Sequence, residues 1–248
     1  MLLNKVTVVI PFYNANEYLQ ETINSIIENK EHIHEIIIVL DKGSESADSL
    51  ESKIPIKVLK NRYKKGGAGS ARAYGYNNSK TRYVCFLDAD DIWLKGKIEK
   101  QIGFMKEKQY CFSFHSFKHF SESNDNYNWI SPSGLFNVEN FLKKKFTIGC
   151  LTVMIDKEQI KEISPNYLKM RNDALLWFQL MKISEKNNFT WGGFEFKGAL
   201  HRLHGKSLSS SRLISAFYYY LFLKKCEENL FKRLIYFFYY AYNSIGTR

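Results

Sequence analysis

A strand-prone apolar run, Tyr83-Val84-Cys85-Phe86-Leu87, stops abruptly at Asp88, with Asp90 and Asp91 close behind it. Such a run suits a strand buried on both faces, as in parallel sheets, whose carboxyl end opens into a crevice. Carboxylates gathered there repel one another, which calls for a cation among them. A divalent metal carrying a diphosphate meets that need, because hard cations prefer oxygen ligands and share them with phosphates. The plainer alternative is that Asp90 or Asp91 caps a helix begun by Ile92 and Trp93. A cap takes one acid, and here there are three.

The chain before this point alternates strand and helix. Lys5 to Pro11 reads as a first strand with Pro11 as its terminator, followed by the loop Phe12–Asn16. Tyr18, Leu19, Ile23, Ile26 and Ile27 recur at helical spacing. Glu35 to Leu40 is a second, continuous apolar strand ending in Asp41-Lys42-Gly43-Ser44. A short helix is expected from Ala47 to Lys53, and a third strand over Ile56 to Leu59. This alternation implies a doubly wound sheet with right-handed crossovers. Ligands of such sheets bind beyond the strand carboxyl ends. Pro11 to Asn14, Asp41 to Ser44 and Asp88 to Asp91 are therefore expected to face one crevice. Gly66-Gly67-Ala68-Gly69 precedes a helix carrying Arg72. That turn reads equally as a phosphate-holding helix start or as a flexible connector.

Beyond Trp93 the pattern predicts a helix over Lys95–Lys108 and an aromatic strand over Tyr110–Phe117. A polar loop over Ser121–Pro132, a short helix over Val138–Lys144 and a buried strand over Thr147–Asp156 follow. His115 and His119 fall on strand and loop, so they read as structural. Asp173 opens a strongly apolar helix, as its N-cap or as a general base kept ionised by the helix dipole. Trp191 to Gly198 reads as a further strand. His201 to Ser209 is basic and hydroxyl-rich, either a lid over phosphates or a solvated loop. Leu213 to Leu223 and Leu230 to Tyr242 are aromatic helices flanked by Lys224, Lys225, Lys232 and Arg233. They suit packing on the domain, an oligomer contact, or, the reading preferred here, a seat on anionic lipid.

Composition sets limits. At 248 residues the chain suits one sizeable α/β domain or two small ones. The net charge of +11 favours a polyanionic or membrane-surface partner. Cys85, Cys111, Cys150 and Cys226 form no CxxC pair, which argues for a reducing compartment and against a zinc site. With no signal-peptide pattern and no apolar run of about 20 residues, the expectation is a cytoplasmic protein, peripheral on the inner membrane.

Taken together, Val-Val-Ile-Pro-Phe-Tyr-Asn, Asp-Lys-Gly-Ser, Phe-Leu-Asp-Ala-Asp-Asp and the later Asn172-Asp173 resemble the family 2 inverting glycosyltransferases over residues 5 to 205. The resemblance implies a GT-A, Rossmann-like α/β fold: a mixed sheet flanked by helices. Residues 1–95 would form a nucleotide-binding half, 96–205 an acceptor half, and 206–248 a basic lid with an aromatic amphipathic helical tail. Arg202, Ser207-Leu208-Ser209 and the final Tyr-Ala-Tyr-Asn are similar to the small bacterial O-antigen and capsule transferases of this family. That likeness implies a UDP-sugar donor (glucose before galactose) and a β-1,3 link to N-acetylglucosamine on diphospho-undecaprenol. Carried onto matching positions, it puts Pro11 and Tyr13 beside the uracil, Asp41 on uracil N3, and Arg72 and Asp88 near the nucleotide. Asp90 would ligate Mn²⁺ or Mg²⁺, and Asp91 would order the loop. Asp173 would be the catalytic base, and His201, Arg202 and His204 would reach the diphosphate. Lys42 departs from the family's usual second acid.

Two other classes compete. A sugar-phosphate nucleotidyltransferase would carry a glycine-rich loop with Arg and Lys directly after the first strand, and Phe12-Tyr13-Asn14 lacks it. A basic nucleic-acid-binding protein suits the charge, but no recognition signature appears, and no nucleic-acid partner is expected.

Overall fold

The computed structural model describes residues 2–44, 50–123, 126–204 and 211–245. The N-terminal half contributes β1 (Leu2–Phe12), α1 (Asn16–Ile27), β2 (Ile33–Leu40), β3 (Ile56–Lys60), α2 (Ala68–Asn78) and β4 (Thr81–Phe86). Then come β5 (Ile92–Trp93), α3 (Lys97–Lys108), β6 (Tyr110–Phe120), β7 (Trp129–Ile130), α4 (Val138–Leu142), β8 (Met154–Asp156), α5 (Asn172–Asn187) and β9 (Thr190–Arg202). Two helices close the chain, α6 (Arg212–Cys226) and α7 (Leu230–Ile245).

The strands form one mixed sheet in the order β3-β2-β1-β4-β8-β6-β9-β5, with β7 paired to β6. β1 to β4 are mutually parallel; β8 runs against both β4 and β6, and β9 is parallel to β6. The carboxyl ends of β1, β2, β4, β6 and β9 therefore lie along one edge, as expected for a sheet whose strands are joined by helical crossovers.

Strand alternation sorts the core into two layers. Val9, Ile37, Val39, Val84 and Phe86 pack with α2 and α5 on one face. Val8, Ile10, Ile36, Ile38 and Cys85 pack with Leu19, Ile23 and Ile26 of α1 and Ile98 and Ile102 of α3 on the other. Gly75 lets α2 lie close on the sheet, because a Cβ there would come within 2.4 Å of Val9. The carboxyl end of α2 is tied down by Lys157, whose Nζ donates to the carbonyls of Tyr76 (2.7 Å) and Ser79 (2.6 Å). A cation there also complements the helix dipole.

Several expectations change. Ile92 and Trp93 do not begin a helix; they pair with Leu200 and Ala199 as β5, so Asp90 and Asp91 are not its caps. Of the buried run Thr147–Asp156, only Met154–Asp156 is strand, and Cys150–Thr152 is a 3₁₀ turn. Side chains take the place of ladder bonds there: Trp93 Nε1 donates to the Leu151 carbonyl and Gln101 Nε2 to that of Thr152. The helix expected from Ala47 falls partly outside the described residues, and Leu50 to Lys53 are not helical. The aromatic strand runs on to Phe120, and the following strand extends through His201 and Arg202. The rest of the expected lid, from Gly205 on, lies outside the described residues.

Candidate active site

At the carboxyl end of β2, Asp41 braces the glycine turn. Its Oδ1 accepts from Asn61 Nδ2 at 3.1 Å and its Oδ2 from the Gly67 backbone N–H at 2.6 Å. The turn is shaped to that contact. A Cβ on Gly66 would come within 2.9 Å of Asp41 Oδ1, and Gly67 has φ 117, a conformation that favours glycine. The Gly66–Gly69 segment is therefore neither a loose connector nor a built phosphate loop; it is a helix start fitted around a carboxylate. Asp41 keeps lone pairs for a ligand, since each oxygen accepts more than one bond. Lys42 is exposed, and its Nζ donates to the Lys64 carbonyl at 2.7 Å. Pro11 does not terminate β1 as expected: it pairs with Val39 and the strand runs one residue further, Phe12 pairing with Leu40, while Tyr13 stands 60% exposed on the rim.

Arg72 on α2 is the hub. Its side chain is buried, with Nη2 on Asp88 Oδ1 at 2.5 Å and Nη1 on Asn172 Oδ1 at 2.6 Å. Burial opposes its charge, but Asp88 and, less strongly, Asp173 hold Arg72 protonated above its ordinary range. One guanidinium thus joins the end of β4 to the start of α5, reaching Asn172 a hundred residues along the chain from Arg72 itself.

The other two acids of the loop part company. Asp91 is buried, and its Oδ1 accepts from the Arg202 backbone N–H at 3.0 Å. Burial, then the charges of Asp88 and Asp90, push its carboxyl well above the usual range, so it favours its proton. Asp90 is more open, with Oδ2 at 2.7 Å from His204 Nε2. Arg202 is committed to structure. Its Nε donates to the Asp90 carbonyl, its Nη2 pairs with Glu21, and the guanidinium lies over Tyr18 and Phe120. Those four partners hold the guanidinium of Arg202 in place beside Asp90. A cleft of about 520 Å³ opens beside His204, between Tyr18, Glu122, Tyr127 and Arg202.

Asp173 is the second residue of α5, and the cap position falls to Arg171, in a left-handed conformation at φ 62. The cap reading of Asp173 therefore falls away. His201 Nδ1 lies 3.0 Å from His119 Nδ1, so one imidazole donates and the other accepts. Burial lowers both, His119 to about 4. The charges of Asp88, Asp90 and Asp173 act in the opposite direction on His201. His115, by contrast, is a core residue held against Phe194 and Phe196.

Sequence reasoning missed Asn61 and Glu21. Asn61 directly follows β3, so the rule that led to Asp41 would have found it. Nothing local marks Glu21, whose role depends on Arg202 arriving from the far end of the sheet.

Known proteins converge on the same reading. The sequence pattern described as Glycosyl transferase family 2 matches residues 7–157. The putative teichuronic acid biosynthesis glycosyltransferase TuaG of Bacillus subtilis is 31% identical over 98% of this chain and 97% of its own. The Escherichia coli protein WfgD, a UDP-Glc:alpha-D-GlcNAc-diphosphoundecaprenol beta-1,3-glucosyltransferase, is 30% identical over 84% of this chain and 80% of its own. In fold, the chain is similar to S. aureus TarS 1-349 in complex with UDP-GlcNAc, with TM-score 0.65 and 15% identity over 96% of this chain and 71% of that one. With a mixed GT-A-type sheet and its carboxylates gathered along one edge, the chain belongs to glycosyl transferase family 2.

Proposed function

We infer that the protein transfers a hexose, glucose before galactose, from a UDP-sugar to N-acetylglucosamine on diphospho-undecaprenol. The link formed would be β-1,3, in O-antigen or capsular polysaccharide synthesis. The observation that carries this is the Arg72 bridge, which sets Asp88 and the Asn172-Asp173 pair on the two sides of one crevice. The named activity of WfgD supports the choice of donor and acceptor.

Asp41, Asn61 and the rim residue Tyr13 would receive the uracil, and Asp88, held by Arg72, the ribose side of the diphosphate. Asp173, whose carboxylate makes no hydrogen bond to the described residues, would take the proton of the acceptor hydroxyl as that oxygen attacks the anomeric carbon. The carbon–oxygen bond to UDP breaks as the new one forms on the opposite face, so an α-linked donor gives a β-linked product. Asp91 and Arg202 keep the Asp88–Asp91 loop in place. His201, paired with His119 and lowered by burial, would offer the site a neutral imidazole.

The donor set suits a hard cation that completes its shell from substrate. Asp90 is part-exposed beside the His204 imidazole, and among the described residues no group of three or more His, Cys, Asp or Glu is gathered to hold an ion alone. When bound, Mn²⁺ or Mg²⁺ at Asp90 would neutralise charge on the departing diphosphate.

The tail supplies the seat on the membrane. Phe231, Leu234, Ile235, Phe238 and Tyr242 line one exposed face of α7, with Lys224, Lys225 and Lys232 exposed nearby. No described helix is long and apolar enough to cross a bilayer, so this face would lie on the cytoplasmic leaflet.

The test is UDP release from a panel of UDP-sugars with N-acetylglucosaminyl-diphosphate-lipid, with Mn²⁺ or with chelator. Metal-dependent turnover of UDP-glucose is the expected result. Turnover of no UDP-sugar, together with no UDP binding, would reject the reading.

A further inference from the structure

We propose that a cavity beside Asp173 receives part of the diphosphate of an isoprenoid-linked acceptor, with Arg171 as its main cation, and that α6 carries the isoprenoid away. This rests on the transferase reading and adds where the acceptor is anchored.

The cavity measures about 70 Å³, and its floor is apolar, including Phe141, Phe146 and Phe222. Asp173, Arg171 and Lys144 also line it. Two buried N–H donors on this lining, Arg171 Nε and Trp177 Nε1, have no acceptor among the described residues. Trp177 is 1% exposed. Buried donors are nearly always paired, so two unpaired ones on one small cavity call for a ligand rich in acceptor oxygens.

Arg171 adds charge to that demand. No carboxylate pairs with it among the described residues. Its Nη2 donates to Ser215 of α6 at 2.8 Å, and its guanidinium lies 5.6 Å from the Tyr219 ring centroid. A guanidinium with spare donors suits a phosphate, whose oxygens it meets in a planar fork.

Position agrees with the chemistry. The acceptor's diphosphate is bonded to C1 of the sugar that gives up its proton to Asp173, so it must lie one sugar ring away. Arg171 precedes Asp173 by two residues and shares its cavity. At ~30 Å³ per water the space holds roughly two waters, so only part of the head group enters and the chain leaves over the surface. The Arg171–Ser215 contact brings the first turns of α6 to that exit, where Leu213, Ile214 and Phe217 are exposed.

The test is calorimetric titration of the full chain, without nucleotide, using farnesyl diphosphate, farnesol and inorganic pyrophosphate. Farnesyl diphosphate should bind tightest. Arg171→Gln should weaken it by about tenfold without changing the affinity for UDP, and Arg171→Lys should recover part of the loss. In turnover, Arg171→Gln should raise KM for the lipid acceptor and leave KM for the UDP-sugar alone. If Arg171→Gln shifts the unfolding midpoint, Trp177→Phe, which keeps the ring and removes the N–H, replaces it, with a few-fold weakening expected. Equal affinity in wild type and variants, farnesol binding as well as its diphosphate, or no binding at all would overturn the proposal. Arg171-dependent binding in a chain that neither binds nor turns over UDP-sugars would support the anion site and reject the transferase reading by itself.

Discussion

The two walls of the crevice differ in how their charged groups are held. On the β1–β4 side each carboxylate is held by a neighbour, Asp41 by Asn61 and Gly67, Asp88 by Arg72 and Asp91 by the backbone of Arg202, while Arg72 Nε and Asp91 Oδ2 are buried without a partner among the described residues. On the α5–α6 side, the buried N–H groups Arg171 Nε and Trp177 Nε1 have no partner among the described residues. A wall whose carboxylates are already held by neighbours can position a nucleotide with little rearrangement, which is what a donor site needs. A wall with unmet groups is completed by its substrate. On the proposed reading the first wall would take the donor and the second the acceptor.

Asp173→Asn is the sharpest break between them. It should lower kcat by about 10³-fold, the usual scale for a general base, and leave UDP binding unchanged; single-turnover kinetics and calorimetry would separate the two. Arg72→Met comes next. It leaves Asp88 without its buried partner, and about 3 kcal/mol of stability should go with it, read by urea unfolding. Donor affinity should fall too, since Asp88 loses its fixed position. An intact midpoint in this variant would mean that the donor wall is not held together as described.

Gly66→Ala perturbs the same wall more gently. Its new Cβ would press on Asp41, whose carboxylate is pinned by Gly67 and Asn61 and has little room to yield. About 1 kcal/mol of overpacking strain is expected, seen as a several-fold loss of UDP affinity with kcat for bound substrate nearly intact. Smallest in stability is the paired change Phe231→Glu and Phe238→Glu on the exposed face of α7. It should alter unfolding by less than about 0.5 kcal/mol while reducing co-sedimentation with anionic vesicles. Undiminished vesicle association would remove the membrane seat and leave both walls as they are.

The donor wall was far more legible in the sequence than the acceptor wall, for a physical reason. Asp41 and Asp88 follow directly on apolar strands, so local pattern alone puts them at the sheet's carboxyl edge. The segments from Tyr83 to Trp93 misled only in part: Ile92-Trp93 has strand character, but its partner β9 lies a hundred residues away, and only the fold shows that pairing. Arg202 was legible as a basic residue near the site. Its commitment to Glu21, Tyr18 and Phe120 was not, because those contacts join three distant segments. Arg171 and Trp177 gave no signal at all. An arginine before a helix and a tryptophan within one are ordinary, and what sets these two apart is a hydrogen bond each fails to make.

The claim that the two walls hold donor and acceptor on opposite faces of one anomeric carbon can be tested through the product itself. The measurement is the anomeric configuration of the newly linked sugar, by NMR, after reaction of an α-linked UDP-sugar with N-acetylglucosaminyl-diphosphate-lipid. A β-linkage is the predicted result, because attack directed by Asp173 comes from the face away from Arg72 and Asp88. An α-linkage would place both substrates on the same face and contradict the division of the crevice into a donor wall and an acceptor wall.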